Sequence, residues 1–174
     1  MRRRSGTRSA PATRPGASTT LGMTMRIGII SDTHGLVRPG IADVFANVDH
    51  ILHAGDVGGA HVLRALRELA PVTYVGGNND ERSDGLDIVR VTLADVRILL
   101  THILPKPEKP RTAVIASMRK TPADLVVFGH SHLPFNDVIG GVRFFNPASA
   151  GPKRFSNPVL VGLFEKGVLR HITL

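Results

Sequence analysis

Apolar residues along this chain fall into short continuous runs bounded by turn residues, with helical spacing between several of the runs. Residues 27–30 read as a buried strand. Ile41, Val44, Phe45 and Val48 stand at i, i+3, i+4 and i+7 and predict an amphipathic helix. Residues 50–53 form a second strand, and Val62, Leu63, Leu66 and Leu69 mark a second helix that Pro71 stops. Residues 72–75 are a third strand, and 88–93 with 96–101 flank Ala94-Asp95 as an antiparallel pair. Val114, Ile115 and Met118 predict a third helix ending before Pro122, and 125–128 another buried strand. The texture then changes to hairpins. Residues 138–139 and 142–144 flank Gly140-Gly141, a two-residue loop suited to a tight β turn. Residues 158–164 and 168–174 flank Glu165-Lys166-Gly167. Alternating strand and helix followed by antiparallel strands predicts an α/β architecture, two mixed sheets packed in layers with helices outside.

Composition changes this picture at one end only. The chain has 174 residues, enough for a sizeable core, and residues 25–174 read as one domain. Most of the net charge of +8 lies in residues 1–24, which hold Arg2, Arg3, Arg4, Arg8 and Arg14 and no acid. That segment is rich in Ser, Thr, Pro and Gly and poor in large apolar residues, so it is expected to be disordered. An Arg-rich targeting segment, a nucleic-acid arm, and a translation start at Met23 or Met25 are its three readings. Without it, the basic balance does not argue for nucleic acid. There are no cysteines, so disulfides and thiolate metal sites are excluded. No apolar run is long enough to span a membrane as a helix, and a cytoplasmic setting is expected. Sheet edges leave self-association open.

The chemistry-bearing residues recur where strands end. Asp32 and His34 follow the first strand, Asp56 the second and Asn78 the third; His102 and the pair His130 and His132 follow later ones. From Asp32 the steps to successive clusters are 24, 22, 24 and 28 residues. Each is about the length of a strand–connection–strand unit, which returns the chain to the same edge of a sheet. Four imidazoles, two carboxylates and one amide are too many donors for one tetrahedral ion and suit two ions sharing a carboxylate. Nitrogen and oxygen donors without sulfur favour Mn, Fe, Zn, Ni or Co over Ca or Mg. Two ions about 3.5–4 Å apart clamp the attacking and leaving oxygens of a displacement at phosphorus and make hydroxide available near pH 7. Singly, His-x-His is an ordinary surface pair and Asp32 or Asn78 an ordinary turn residue. Five such clusters at five strand ends are not explained that way.

Asp32-Thr33-His34, Gly55-Asp56, Gly77-Asn78-Asn79-Asp80, Thr101-His102 and Gly129-His130-Ser131-His132 resemble, in order, the five blocks of the calcineurin-like metallophosphoesterases. The short length and Asn146-Pro147-Ala148-Ser149 resemble their small bacterial YfcE-like phosphodiesterase branch. The resemblance implies a β-sandwich flanked by helices that hydrolyses phosphate esters, phosphodiesters above all, on small molecules or nucleotides. It implies that Asp32, His34 and His132 bind a first metal, that Asn78, His102 and His130 bind a second, and that Asp56 bridges, with a bridging hydroxide as nucleophile. Manganese is the metal it implies first, with Fe, Ni, Co, Zn and Mg as alternatives. Two positions depart from the pattern. Asn79 stands where many members have a leaving-group-protonating His, and an amide is no general acid near neutral pH. Ile103 and Leu104 replace the Gly-His that often follows His102, which makes one wall more apolar. A scaffold of the same fold with a compromised metal site is the alternative function.

Other polar residues carry weaker expectations. His53 is a candidate support for Asp56 from below. Asp80 is read either as orienting a ligand or as a helix cap. Lys153 and Arg154 are read as a solvated charge pair rather than a phosphate contact, and His50, His61 and His171 as structural.

Overall fold

The computed structural model describes residues 25–81 and 85–174; the Arg-rich segment 1–24 lies outside the described residues. Ten strands and three helices follow one another along it. The first half holds β1 (Ile27–Ile30), α1 (Pro39–Phe45), β2 (His50–His53), α2 (Ala60–Arg67) and β3 (Val72–Tyr74). Then come β4 (Ile88–Leu93), β5 (Val96–Thr101), α3 (Thr112–Lys120) and β6 (Leu125–Val127). The chain ends in two hairpins, β7 (Pro134–Ile139) with β8 (Val142–Pro147) and β9 (Leu160–Glu165) with β10 (Val168–Thr173).

The strands form two five-stranded mixed sheets, ordered β10-β9-β1-β2-β3 and β4-β5-β6-β8-β7. In the first, β1, β2 and β3 run parallel and β9 runs antiparallel to β1. In the second, β5, β6 and β8 run parallel, with β4 and β7 antiparallel at the edges. Side chains two apart on a strand share a face, and that period sorts the core into three layers. Ile27, Ile29, Leu52 and Ala54 meet Ile98, Leu100, Leu125, Val127 and Phe145 between the sheets. The alternate residues Ile30 and Ile51 face outward and are covered by Ile41 and Phe45 of α1 and Val62 and Leu66 of α2. Leu99 and Val126 face outward from the second sheet and are covered by Val114 and Met118 of α3. The order helix, sheet, sheet, helix is the expected two-sheet sandwich with helices on its outer faces.

Three details differ from the sequence reading. Helix α1 begins with Pro39, whose fixed φ suits the first turn, and ends at Phe45, so Val48 is buried from the loop beyond it. Leu69 likewise lies past α2 and packs as a half-buried loop residue. Strand β7 begins four residues before Val138, at Pro134, because this is an edge strand. Proline is tolerated at the start of such a strand, and the largely exposed side chains leave no apolar alternation to read. Among the described residues, no helix is long and apolar enough to cross a membrane.

Candidate metal centre

The loops after β1, β2 and β3, from one sheet, meet those after β5 and β6, from the other. The sequence spacing suggested one sheet edge; the donors instead come from both sheets and meet at a shared rim, because the chain crosses to the second sheet at β4. The loops after β1 and β2 run side by side, His34 N–H bonding Asp56 carbonyl at 2.9 Å and Gly35 N–H bonding Val57 carbonyl at 2.9 Å. The second sheet is tied in by Gly129 N–H to His102 carbonyl at 3.0 Å and by His130 N–H to Asp32 Oδ2 at 3.1 Å.

Two groups of donors form here. Asp32, His34 and His132 bring one donor atom each within 4.8 Å of one another, and so do Asp32, Asp56 and His102. In each group the carboxylates come from the first sheet and at least one imidazole from the second. Asp32 belongs to both groups, and buried Asp56, of the second, has Oδ2 3.7 Å from His34 Nε2 of the first and Oδ1 3.4 Å from His102 Nε2. Asn78 Oδ1 lies 3.1 Å from His102 Nε2. His130 is in neither group; its ring sits edge-on to His102, centroids 5.3 Å apart, and is exposed. His102, whose following residues depart from the family pattern, is buried in the centre of the site.

The residues present fit a cation. Asp32 Oδ1 is buried without a hydrogen-bond partner, 3.2 Å from His132 Nε2. A carboxylate oxygen left so is costly unless a positive charge meets it. The opposite oxygen, Oδ2, is held by Ser31 Oγ at 2.6 Å and by His130 N–H. On the other side, His102 Nδ1 donates to Ala54 carbonyl at 2.7 Å, which turns the Nε2 lone pair toward Asn78 Oδ1 and Asp56 Oδ1. Three electron-rich atoms facing one another call for a cation among them. Backbone conformation supports this reading. Asp32, His34, Asp56, His130 and His132 all have positive φ, between 46° and 69°. For side chains with a Cβ this region costs about 1–3 kcal/mol each, and such strain gathers where function holds it. Two glycines allow the close approach. A Cβ on Gly77 would collide with Asp56, and one on Gly129 would meet Ser31 Oγ and stand 2.8 Å from Asp32 Oδ2.

Charge states follow from these contacts. When a proton rather than a cation sits on His102 Nε2, that N–H bonds Asp56; burial pushes the Asp56 carboxyl up, but this bond and those from the backbone and side chain of Asn79 outweigh it. Asp56 is therefore held well below the usual carboxylate range. Burial lowers His102, yet its bonds to Asp56 and Ala54 and the nearby acids raise it on balance. His34 is lowered, by burial first, against the pull of Asp56 and Asp32.

Residues 25–166 match the calcineurin-like phosphoesterase superfamily domain. The chain belongs to the calcineurin-like phosphoesterase superfamily. A probable metallophosphoesterase of Methanothermobacter thermautotrophicus is 32% identical over 149 residues, 80% of this chain and 85% of that protein. Phosphodiesterase YfcE of Escherichia coli is 31% identical over 125 residues, 66% of this chain and 64% of the relative. In fold, this calcineurin-like chain superposes on the structure of YfcE with a TM-score of 0.64 at 26% identity, covering 83% of this chain and 91% of that one. It superposes on Vps29 of Chaetomium thermophilum with a TM-score of 0.69 at 16% identity, covering 86% and 97%.

Several supports of this phosphoesterase site make contacts that the sequence did not disclose. The hydrogen bonds of His53 join it to Gly55 and Thr33, not to the Asp56 carboxylate. Its Nδ1 accepts from Gly55 N–H at 3.2 Å, so Nε2 carries the proton and donates to Thr33 Oγ1 at 2.9 Å. Thr33 in turn donates to Val57 carbonyl at 2.9 Å. Asp80 caps no helix: it accepts backbone N–H groups from Val57, Gly58 and Gly77 at 3.0, 2.8 and 2.9 Å, clamping the Asp56 loop to the Asn78 loop. Asn146 Nδ2 holds Gly129 carbonyl at 2.8 Å, under the His130–His132 turn. Asn146 was singled out in the sequence only by resemblance. His61 and His171 bond carbonyls of Gly35 and Asn146 at 2.8 Å each.

Proposed function

We propose that this phosphoesterase hydrolyses phosphodiesters with two divalent cations, Mn first, and Fe, Ni, Co, Zn or Mg as alternatives. The observation that carries the reading is Asp56, a buried carboxylate that turns one oxygen toward a histidine of each donor group. Asp32, His34 and His132 would hold one cation, and Asn78, His102 and His130 the other, with Asp56 shared between them. When bound, such a pair supplies a water deprotonated near neutral pH and neutralises charge gathering at phosphorus.

The protein's own groups do the rest. Ser31 and the His130 backbone fix one Asp32 oxygen, leaving the other for the cation. Asn79 orients Asp56 and has no proton to give a leaving group. A leaving group that departs without strong protonation is therefore favoured. The name of the YfcE relative points to the diester over the monoester. Beside His102 a groove of about 550 Å³, lined by Asn78, Asp80, Glu81, Asp87, Ile103 and Arg111 among others, has room for one ester arm. Of the two apolar residues that follow His102, Ile103 lines this groove, whereas Leu104 is buried in the core beneath α3.

The test uses the purified full chain with bis-p-nitrophenyl phosphate and p-nitrophenyl phosphate across those metals. Faster turnover of the diester with Mn, abolished in Asp56→Ala, is expected. No turnover with any metal would point to the scaffold alternative instead. The donor-type residue at each of the seven positions weighs against that alternative.

A further inference from the structure

Arg154 reaches the rim from the loop after β8. Its Nη2 donates to His34 Nε2 at 3.3 Å, so the side chain, exposed as its sequence setting suggested, also has a partner in the site. The base of that loop is fixed to the site. Ala150 N–H bonds Ser31 carbonyl and Ser149 Oγ bonds Asp32 carbonyl, each at 3.0 Å. Arg38 grips the carbonyls of Ala150 and Gly151 at 3.0 to 3.3 Å. Past Arg154 the chain turns back, Asn157 N–H closing on Arg154 carbonyl at 3.1 Å. Phe155, at the corner, holds a left-handed φ of 52° although its side chain is almost wholly exposed. A bulky exposed residue does not adopt that backbone for its own packing; the turn sets it, and the turn aims Arg154 at His34.

The Nε2 lone pair that accepts from Arg154 is the one His34 would give a cation, so with a cation there the guanidinium loses this partner and stands beside a positive charge. It needs an anion to share, and a phosphoryl group is the anion this site would receive. Arginine's planar fork matches two phosphate oxygens. Arg38 is committed to carbonyls, and Arg111 lies in the groove on the Asn78–His102 side. We propose that Arg154 binds the non-bridging phosphoryl oxygens of the substrate on the His34–His132 side of the centre. The inference rests on the hydrolase reading and adds a substrate-binding residue to it.

The experiment is calorimetry of inorganic phosphate with the Mn-loaded full chain, alongside diester kinetics and Mn content. Arg154→Ala is expected to weaken phosphate binding roughly 10- to 100-fold, the range of a lost charge-assisted hydrogen bond. KM for bis-p-nitrophenyl phosphate rises in step while kcat changes less, Mn content stays at the wild-type level, and Arg154→Lys recovers part of the affinity. Unchanged phosphate affinity and KM in Arg154→Ala overturn the assignment. Loss of Mn from that variant also overturns it, because Arg154 would then serve the donors and not the substrate. A wild-type chain that hydrolyses no ester defeats the hydrolase reading, and the phosphate calorimetry still decides Arg154.

Discussion

Asn79 holds both oxygens of Asp56: its backbone N–H bonds Oδ1 at 2.9 Å and its side-chain amide bonds Oδ2 at 2.6 Å. The residue that stands at the expected acid position is thus a clamp on the shared carboxylate. Rates on a series of aryl phosphodiesters are expected to fall steeply with leaving-group basicity. The drop from p-nitrophenyl to phenyl should be about 100-fold or more, the scale of help that a general acid supplies elsewhere. A shallow dependence would show that another group delivers the proton.

Asp80 is expected to govern both stability and metal affinity without touching a cation. In Asp80→Asn, one of the two oxygens that accept Val57, Gly58 and Gly77 N–H becomes an amide that faces a donor with a donor. A loss of about 2 kcal/mol in denaturant unfolding is expected, with weaker Mn binding measured by calorimetry. An unchanged unfolding midpoint would mean the two loops hold their places without this tie.

Asp32 gives a prediction with opposite signs. Its Oδ1 is a buried charge with no hydrogen-bond partner, so Asp32→Asn in chelator is expected to melt above the wild-type chain in chelator. Mn at about 100 times its dissociation constant adds about 2.7 kcal/mol to a binding-competent protein. That gain is expected for wild type and absent from Asp32→Asn. Thermal melts with and without Mn measure both effects, and a variant that keeps the Mn shift removes Asp32 from the donor set.

His53 makes the metal-free fold acid-sensitive. Burial lowers its pKa from 6.5 to about 4, so between those values the unfolded chain binds a proton that the folded chain refuses. Stability is full above pH 6.5 and falls as pH drops toward 4, by about 3 kcal/mol from this residue. His34 and His50, also lowered by burial, act in the same sense, and His102 acts in the opposite one. Unfolding of wild type and His53→Gln at pH 4.5 and 7 isolates the share of His53. Equal pH dependence in the two proteins would assign the acid sensitivity elsewhere.

The parts of the molecule that the sequence disclosed are those where period and position coincide. The runs at residues 27–30, 50–53, 88–93 and 96–101 became strands with the same bounds: the first, second and fourth because buried strands tolerate few polar residues, and the half-buried edge strand 88–93 because its apolar residues alternate opposite 96–101. The donors were legible because each follows such a run. Their division between two sheets was not, since spacing along the chain is blind to which sheet a strand joins. Edge strand β7 was half hidden for want of an apolar face. The contacts of Arg154, Asn79 and Asp80 had no local signature either. Their partners lie 120, 23 and 22 or 23 residues away, apart from the contact of Asp80 with Gly77, and only the fold brings them there.

Because each donor group takes acids from one sheet and a closing imidazole from the other, the apolar filling between the sheets works as a spacer that sets how far apart the halves of each cage stand. Ala54 belongs to that filling, and its carbonyl also steadies His102. Enlarging it, as in Ala54→Val, would leave every ligand in the chain yet widen the gap. Preference among Mn, Zn and Mg, compared by activity and bound content, is expected to shift with it. Selectivity for an ion would then be written in greasy residues that never meet one.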